Sequence, residues 1–130
     1  MLTIKLEENP QNALSEMGIT VETDSFVMTM CDGDELMGVG VMRLFYDNAE
    51  FCGVYIKEEF SDFSLSYGMG KSLLNAIDLR GIKNVYSDNA DTEALLKALK
   101  FKKYEECEVP EKMGKHLYCL NLTGYFDANC

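Results

Sequence analysis

The apolar residues change period once along this chain, near Phe63, and that change limits the folds open to it. Before it, short stretches alternate apolar and polar as half-buried strands do. Phe26, Met28 and Met30 set the pattern within Ser25–Cys31. Asp32-Gly33-Asp34-Glu35 carries hairpin chemistry, because Asp-Gly takes positive φ readily. A long strand Leu36–Tyr46 follows, interrupted by Gly38 and Gly40, then a tight turn at Asp47-Asn48 and a third strand over Glu50–Lys57. Ahead of this meander the sequence predicts a strand Leu2–Leu6 and a short helix Gln11–Met17 that ends at Gly18.

After Phe63 the spacing is helical. Met69, Leu73, Ala76, Ile77 and Arg80 share one helix face, and Gly81 stands where the helix should exit. A strand Ile82–Tyr86 comes next, then a polar corner Ser87-Asp88-Asn89 and a compact helix Thr92–Lys100 with Asp91 as its N-cap. Two more strands, Phe101–Val109 and His116–Leu122, flank a turn at Pro110–Lys115. A strand–helix–strand unit from Phe51 to Tyr86 needs a parallel crossover. The expected class is therefore α/β of the α+β kind, a mixed, mostly antiparallel central sheet with flanking helices.

The chain has 130 residues, enough for a single domain spanning 1–130 with its own core. Its 47% hydrophobic and 26% charged content is that of an ordinary globular protein. The formal charge of −10 excludes most nucleic-acid binders and anionic-membrane binders, which need cations to meet phosphate. All of that charge lies in the first half: residues 1–63 carry 13 acids and 3 bases, whereas 64–130 carry nine of each. The five cysteines are scattered without a C-x-x-C pair, which argues against a metal site or a redox pair. The first residues turn acidic before an apolar signal could form, and no apolar run reaches the ~18 residues of a membrane span. These features predict a soluble, cytoplasmic protein from a reducing compartment.

The segment with the most chemistry is Leu65-Ser66-Tyr67-Gly68-Met69-Gly70-Lys71-Ser72, expected between a strand and a helix. Glycines there let backbone N–H groups converge, and a helix N-terminus adds unpaired N–H groups and a positive dipole end, a combination that binds phosphate. The segment lacks the spacing of a P-loop and the third glycine of a dinucleotide fingerprint. On its own it reads first as a structural turn and only second as a phosphate site.

The order strand, G-x-G, helix, strand, Asn, helix, aromatic resembles the GNAT superfamily of acyl-CoA-dependent N-acetyltransferases. The family motif [Q/R]-x-x-G-x-[G/A] falls on Leu65–Gly70, with Leu65 in place of Gln or Arg. Asn89 is followed seven residues later by Leu96, where the family carries tyrosine, and then by Lys100-Phe101. The strand Ala49–Ile56 resembles the family strand that starts with a glutamate base and splays open at its end. The resemblance implies acetyl transfer from acetyl-CoA, the co-substrate, to a primary amine, with no metal. It makes Glu50 the base and places the pantetheine arm along Val54 and Ile56. It also puts the pyrophosphate on the N–H groups of Tyr67, Gly68, Met69, Gly70 and Lys71, and Asn89 against the cofactor. The acidic first half points to a cationic acceptor, such as a polyamine or a lysine-containing peptide. A second reading keeps the fold, and the acyl-CoA with it, but loses the chemistry, since Leu96 lacks the proton a leaving thiolate takes up and Glu58, Glu59 and Asp62 crowd the pyrophosphate.

Other residues carry simpler expectations. His116 reads as a surface residue, and the stripe Met28, Met30, Met37, Met42 as adaptable core. Tyr104 is a substitute acid that its spacing does not require, and Cys119 reads as a small buried hydrophobe. The cluster Lys97, Lys100, Lys102, Lys103 compensates a helix dipole. The tail Gly124–Cys130 either packs back on the sheet or covers a homodimer contact.

Overall fold

The structure, a computed structural model, describes residues 1–22, 25–88, 92–103 and 118–127. Its elements are β1 (Leu2–Leu6), α1 (Gln11–Met17), β2 (Ser25–Asp32), β3 (Glu35–Phe45), β4 (Asn48–Ile56), a 3-10 turn (Glu58–Phe60), α2 (Phe63–Leu79), β5 (Asn84–Ser87), α3 (Glu93–Ala98), β6 (Lys102–Lys103) and β7 (Tyr118–Asn121). One sheet runs in the order β1-β2-β3-β4-β5-β7-β6, and only β4 and β5 are parallel. The expected class, a mixed and mostly antiparallel sheet with flanking helices, is the one observed. Among the described residues, no helix is long and apolar enough to cross a membrane.

The hairpin registers follow from turn chemistry. Gly33 takes φ 60° in the β2–β3 turn, as its Asp-Gly sequence predicts. The β3–β4 turn falls on Tyr46-Asp47, one residue earlier than expected, with Tyr46 at φ 54°. That short loop pairs Phe45 with Asn48 and so brings Arg43 opposite Glu50. Two residues further, the register breaks. Val41 pairs with Gly53 and Met42 with Phe51, which leaves Cys52 as the extra residue of a β-bulge.

The sheet has two unequal faces. On one, α2 lays Met69, Leu73, Leu74 and Ile77 onto Met30, Met42, Phe51 and Val85. Gly40 makes this contact close, since a Cβ there would lie 2.7 Å from Leu73 Cδ1 and 2.9 Å from Met69 Cγ. Phe51 is fully buried and meets Phe101 edge-on at 5.7 Å between ring centroids. Burying a side chain of that size contributes roughly 1.5–3 kcal/mol. On the other face, α1 adds Leu14 to Val27, Leu36, Val39 and Val41, a much smaller cluster. Lys57, just past β4, ion-pairs with Glu16 and pins α1 in place.

The fold corrects two of these expectations. Gly68 and Gly70 do not form a turn, because α2 begins at Phe63 and carries both inside it. Asp62 caps the helix, its carboxylate accepting from the Ser64 backbone N–H at 2.8 Å and hydroxyl at 2.7 Å. Cys119 is buried as expected, but it is disulfide-bonded rather than a free hydrophobe. The described part of the tail, residues 124–127, packs back on the main core, where Tyr125 donates its hydroxyl to the Leu99 carbonyl at 2.9 Å. The positions expected for Asn89, Asp91, Tyr104 and His116 lie outside the described residues.

Candidate functional site

β4 is the element around which the site forms. It pairs with β5 only over Asn48–Glu50, whereas its other edge stays paired with β3 as far as Ile56. Beyond Glu50, the β5-facing edge of β4 has no strand partner among the described residues. The Ser87 hydroxyl donates to the Phe51 carbonyl there at 2.9 Å. Among the described residues, alternate backbone groups of residues 53–56 are left for an extended ligand to pair with, an edge that suits a polyamide arm.

Glu50 sits at the point where the two strands part. Its side chain is 15% exposed on the α1 face, and Oε1 lies 3.6 Å from Arg43 Nη1. The Cys52 thiol donates toward the same oxygen at 3.6 Å. Cys52 lies on the same face as Glu50, two residues on, as strand alternation places it. Burial, reinforced by the Glu50 charge, pushes the Cys52 thiol up to about 12, so it stays protonated and is no nucleophile. Arg43 also stacks on the Phe45 ring at 4.8 Å, which fixes its guanidinium beside the acid.

Arg43 and Cys52, but not Glu50 itself, line a cavity of about 340 Å³ between the sheet and the chain leaving α1. Val41, Arg43, Cys52 and Tyr55 form its floor, and residues 19–22 its roof. Burial, with Cys52 alongside, raises the Tyr55 phenol above its ordinary range, so it is a hydrogen-bond donor at neutral pH. Motifs and spacing alone do not single out Arg43 or Tyr55. A signal for Arg43 is nonetheless present in the sequence: a charged residue continues the Val39–Val41 alternation, and a two-residue turn puts it opposite Glu50.

The glycine segment is arranged differently from its expected use. From the fifth residue of an α-helix onward, each N–H donates to the carbonyl four residues back. The N–H groups of Tyr67 to Lys71 lie at the fifth to ninth positions of α2, so they form no converging cradle here. Gly70 has a packing role, because a Cβ there would stand 2.8 Å from Leu99 Cδ1 of the α3 C-terminus. Gly68 has none: a Cβ there would meet nothing within 4 Å. The Lys71 ammonium lies over three rings, Tyr125 at 4.5 Å, Phe126 at 5.3 Å and Tyr67 at 5.8 Å. Leu96, at the position the resemblance gives to a tyrosine, is fully buried in the core.

No family model and no curated protein sequence matches the chain. Solved structures do. The spermidine/spermine N-acetyltransferase SpeG of Vibrio cholerae superposes with a TM-score of 0.74 at 12% identity, over 100% of both chains. A GNAT-family acetyltransferase of Staphylococcus aureus gives 0.70 at 9% identity, over 94% of this chain and 99% of its own. A Bacillus subtilis acetyltransferase in complex with CoA gives 0.66 at 15% identity, over 94% and 99%. At such identities the likeness is one of fold. The chain has the fold of the GNAT acetyltransferases.

Proposed function

We propose that this protein is an N-acetyltransferase that moves an acetyl group from acetyl-CoA to the primary amine of a cationic acceptor. One observation carries the reading: an acid, Glu50, stands where β4 leaves β5, in contact with Arg43 and Cys52, which line a cavity. An amine attacks a thioester only as the free base, so a proton acceptor is needed beside it. Glu50 would take that proton as the N–C bond forms and the C–S bond breaks, and the departing thiolate would be reprotonated from solvent or from Tyr55. The backbone from Val54 to Ile56 would pair with the pantetheine arm. Tyr67 to Lys71 would meet the diphosphate only after the first turns of α2 unwind, and Asn89 would contact the cofactor. The neighbours that are an acetyltransferase in complex with CoA and a polyamine acetyltransferase support this reading.

The α2 N-terminus favours a second reading, a GNAT-fold module without turnover. Asp62 occupies the cap, and Glu58 and Glu59 precede it, so an anion meets carboxylates where the helix dipole would welcome it. Thermal-shift titration with acetyl-CoA and thiol release with a panel of amines separate the two. A transferase gives both signals, and Glu50→Gln lowers turnover by ~10²–10⁴-fold with the acetyl-CoA shift retained. A shift without thiol release supports the second reading, and wild-type turnover in Glu50→Gln removes Glu50 as the base.

A further inference from the structure

Three aromatic rings lie within cation–π range of the Lys71 ammonium on α2. One, Tyr67, stands a helical turn earlier; the other two, Tyr125 and Phe126, come from the end of the sequence. After β7 the chain turns through Gly124, at φ 70°, and sets the Tyr125 and Phe126 rings edge to face at 4.9 Å. Tyr125 is held a second time, by the bond from its hydroxyl to the Leu99 carbonyl. Burial, with Tyr67 alongside, pushes the Tyr125 phenol up to about 12, so it keeps its proton and remains a donor at neutral pH. Leu99 is in turn the residue that packs where Gly70 has no Cβ. The α2 residues reached by these contacts, Tyr67, Gly70 and Lys71, all fall within 67–71, the stretch that two glycines weaken as a helix. Each contact is small, about 2–5-fold in an equilibrium for one ring on an exposed cation, so the grip is one that can be released.

We infer that residues 124–127 are a strap that holds 67–71 of α2 helical, and that releasing it opens this stretch to a phosphate-bearing ligand. With the strap in place, the N–H groups of 67–71 donate within the helix and the Lys71 ammonium faces rings. With the strap released, N–H donors and ammonium become available together, and both favour phosphate. A ligand that binds only the released form has its apparent affinity reduced by the fraction of molecules in that form. The strap is therefore inhibitory, and weakening it strengthens binding. The inference rests on the acetyl-CoA reading for the identity of the ligand; the strap itself does not.

Two measurements on the whole chain test this. Phe126→Ala takes one ring from the ammonium, and Tyr125→Phe keeps its ring but loses the hydroxyl that reaches Leu99. Without ligand, amide hydrogen exchange over 67–71 should quicken ~2–5-fold in each variant, while 73–79 exchange as before. Unchanged exchange in both variants overturns the strap, as does a quickening spread evenly along α2, which marks a general loss of stability. Isothermal titration with acetyl-CoA, and separately with inorganic pyrophosphate, should then give ~2–5-fold tighter binding in Phe126→Ala. In a Lys71→Met background the same substitution should change affinity by less than about twofold, since the charge that the ring holds is gone. If neither ligand binds more tightly, or either binds more weakly, the inhibitory role is overturned and the tail is a structural tie or part of the site. Tighter pyrophosphate binding by a chain that does not bind acetyl-CoA keeps the strap and removes the acetyl-CoA reading.

Discussion

Against α2 and α3 the sheet buries a continuous core that includes Phe51, Met42, Leu73, Ile77 and Leu96, each fully buried. Against α1 it buries Leu14, Val27, Leu36, Val39 and Val41, and beside them leaves two cavities, one of them lined by Arg43, which pairs with Glu50. The two faces share the same strands, so strand chemistry is not what separates them. What differs is the cover. A seventeen-residue helix with an apolar stripe closes one face, and a seven-residue helix followed by an extended stretch covers the other. A short roof cannot bring enough side chains to fill the space beneath it, and incompletely filled space with polar walls is where a ligand fits. Stability is concentrated on the first face and candidate chemistry on the second.

β4 offers the sharpest way to break that comparison, since it contributes to both faces. Phe51→Ala, facing α2, is expected to cost about 3–5 kcal/mol in urea unfolding, from lost burial and the cavity left behind. Tyr55→Ala, lining the cavity beside Arg43 and 37% exposed, is expected to cost about 1 kcal/mol or less. Similar losses at the two positions would mean that the α1 face carries as much of the stability.

The two glycines of α2 make a smaller test of the same idea. Valine at position 70 drives side-chain atoms into Leu99 and is expected to cost roughly 1–3 kcal/mol. Valine at position 68 enters open space, with helix propensity close to that of glycine, and should leave stability within about 0.5 kcal/mol. A large loss at Gly68, seen in the unfolding midpoint, would show that this side of α2 is covered after all. If the fold is kept but acetyl-CoA binding is lost in Gly68→Val, the glycine serves ligand approach.

The smallest expected effect is read from pH. The Cys52 thiol has a folded pKa of about 12 against 9.0 for the free group. Its contribution to stability is therefore complete below about pH 9 and is lost as pH rises toward 12, because the unfolded chain releases that proton first. Cys52→Ala should flatten the alkaline decline by up to about 1.4 kcal/mol per pH unit, measured as the slope between the two variants rather than their level. Identical slopes would place Cys52 in a wetter setting than its contacts with Glu50 indicate.

Local chemistry made much of this fold legible without coordinates. β1 and α1 fall on the expected residues, and Gly18 leaves α1 at φ 69°, as a glycine after the last turn should. Gly81, after α2, does the same at φ 81°. The meander follows from alternation and two short turns, each of which depends on neighbours in sequence. Glu50 was singled out by the resemblance alone, and its place opposite Arg43 comes from a β3–β4 turn one residue earlier than the sequence predicts.

The start of α2 was not legible, although Asp62 followed by Ser64 is a capping pattern and Leu65 precedes Met69 by one helical turn. By local rules two glycines outweigh those signals. In the molecule they do not, because a helix interior disfavours glycine by only about 1 kcal/mol each, less than the burial of Met69, Leu73 and Ile77 returns. Gly70 is needed for the approach of Leu99, a residue whose proximity no local rule predicts. The cavities were beyond sequence for the same physical reason. Their walls come from the β1–α1 corner, α1, residues 19–22, β2, β3 and β4, and the space between them exists only because α1 is too short to fill it. The sequence by itself determined most of the strands and roughly where the chain turns; tertiary packing decided what the glycines are for and where space is left between the elements.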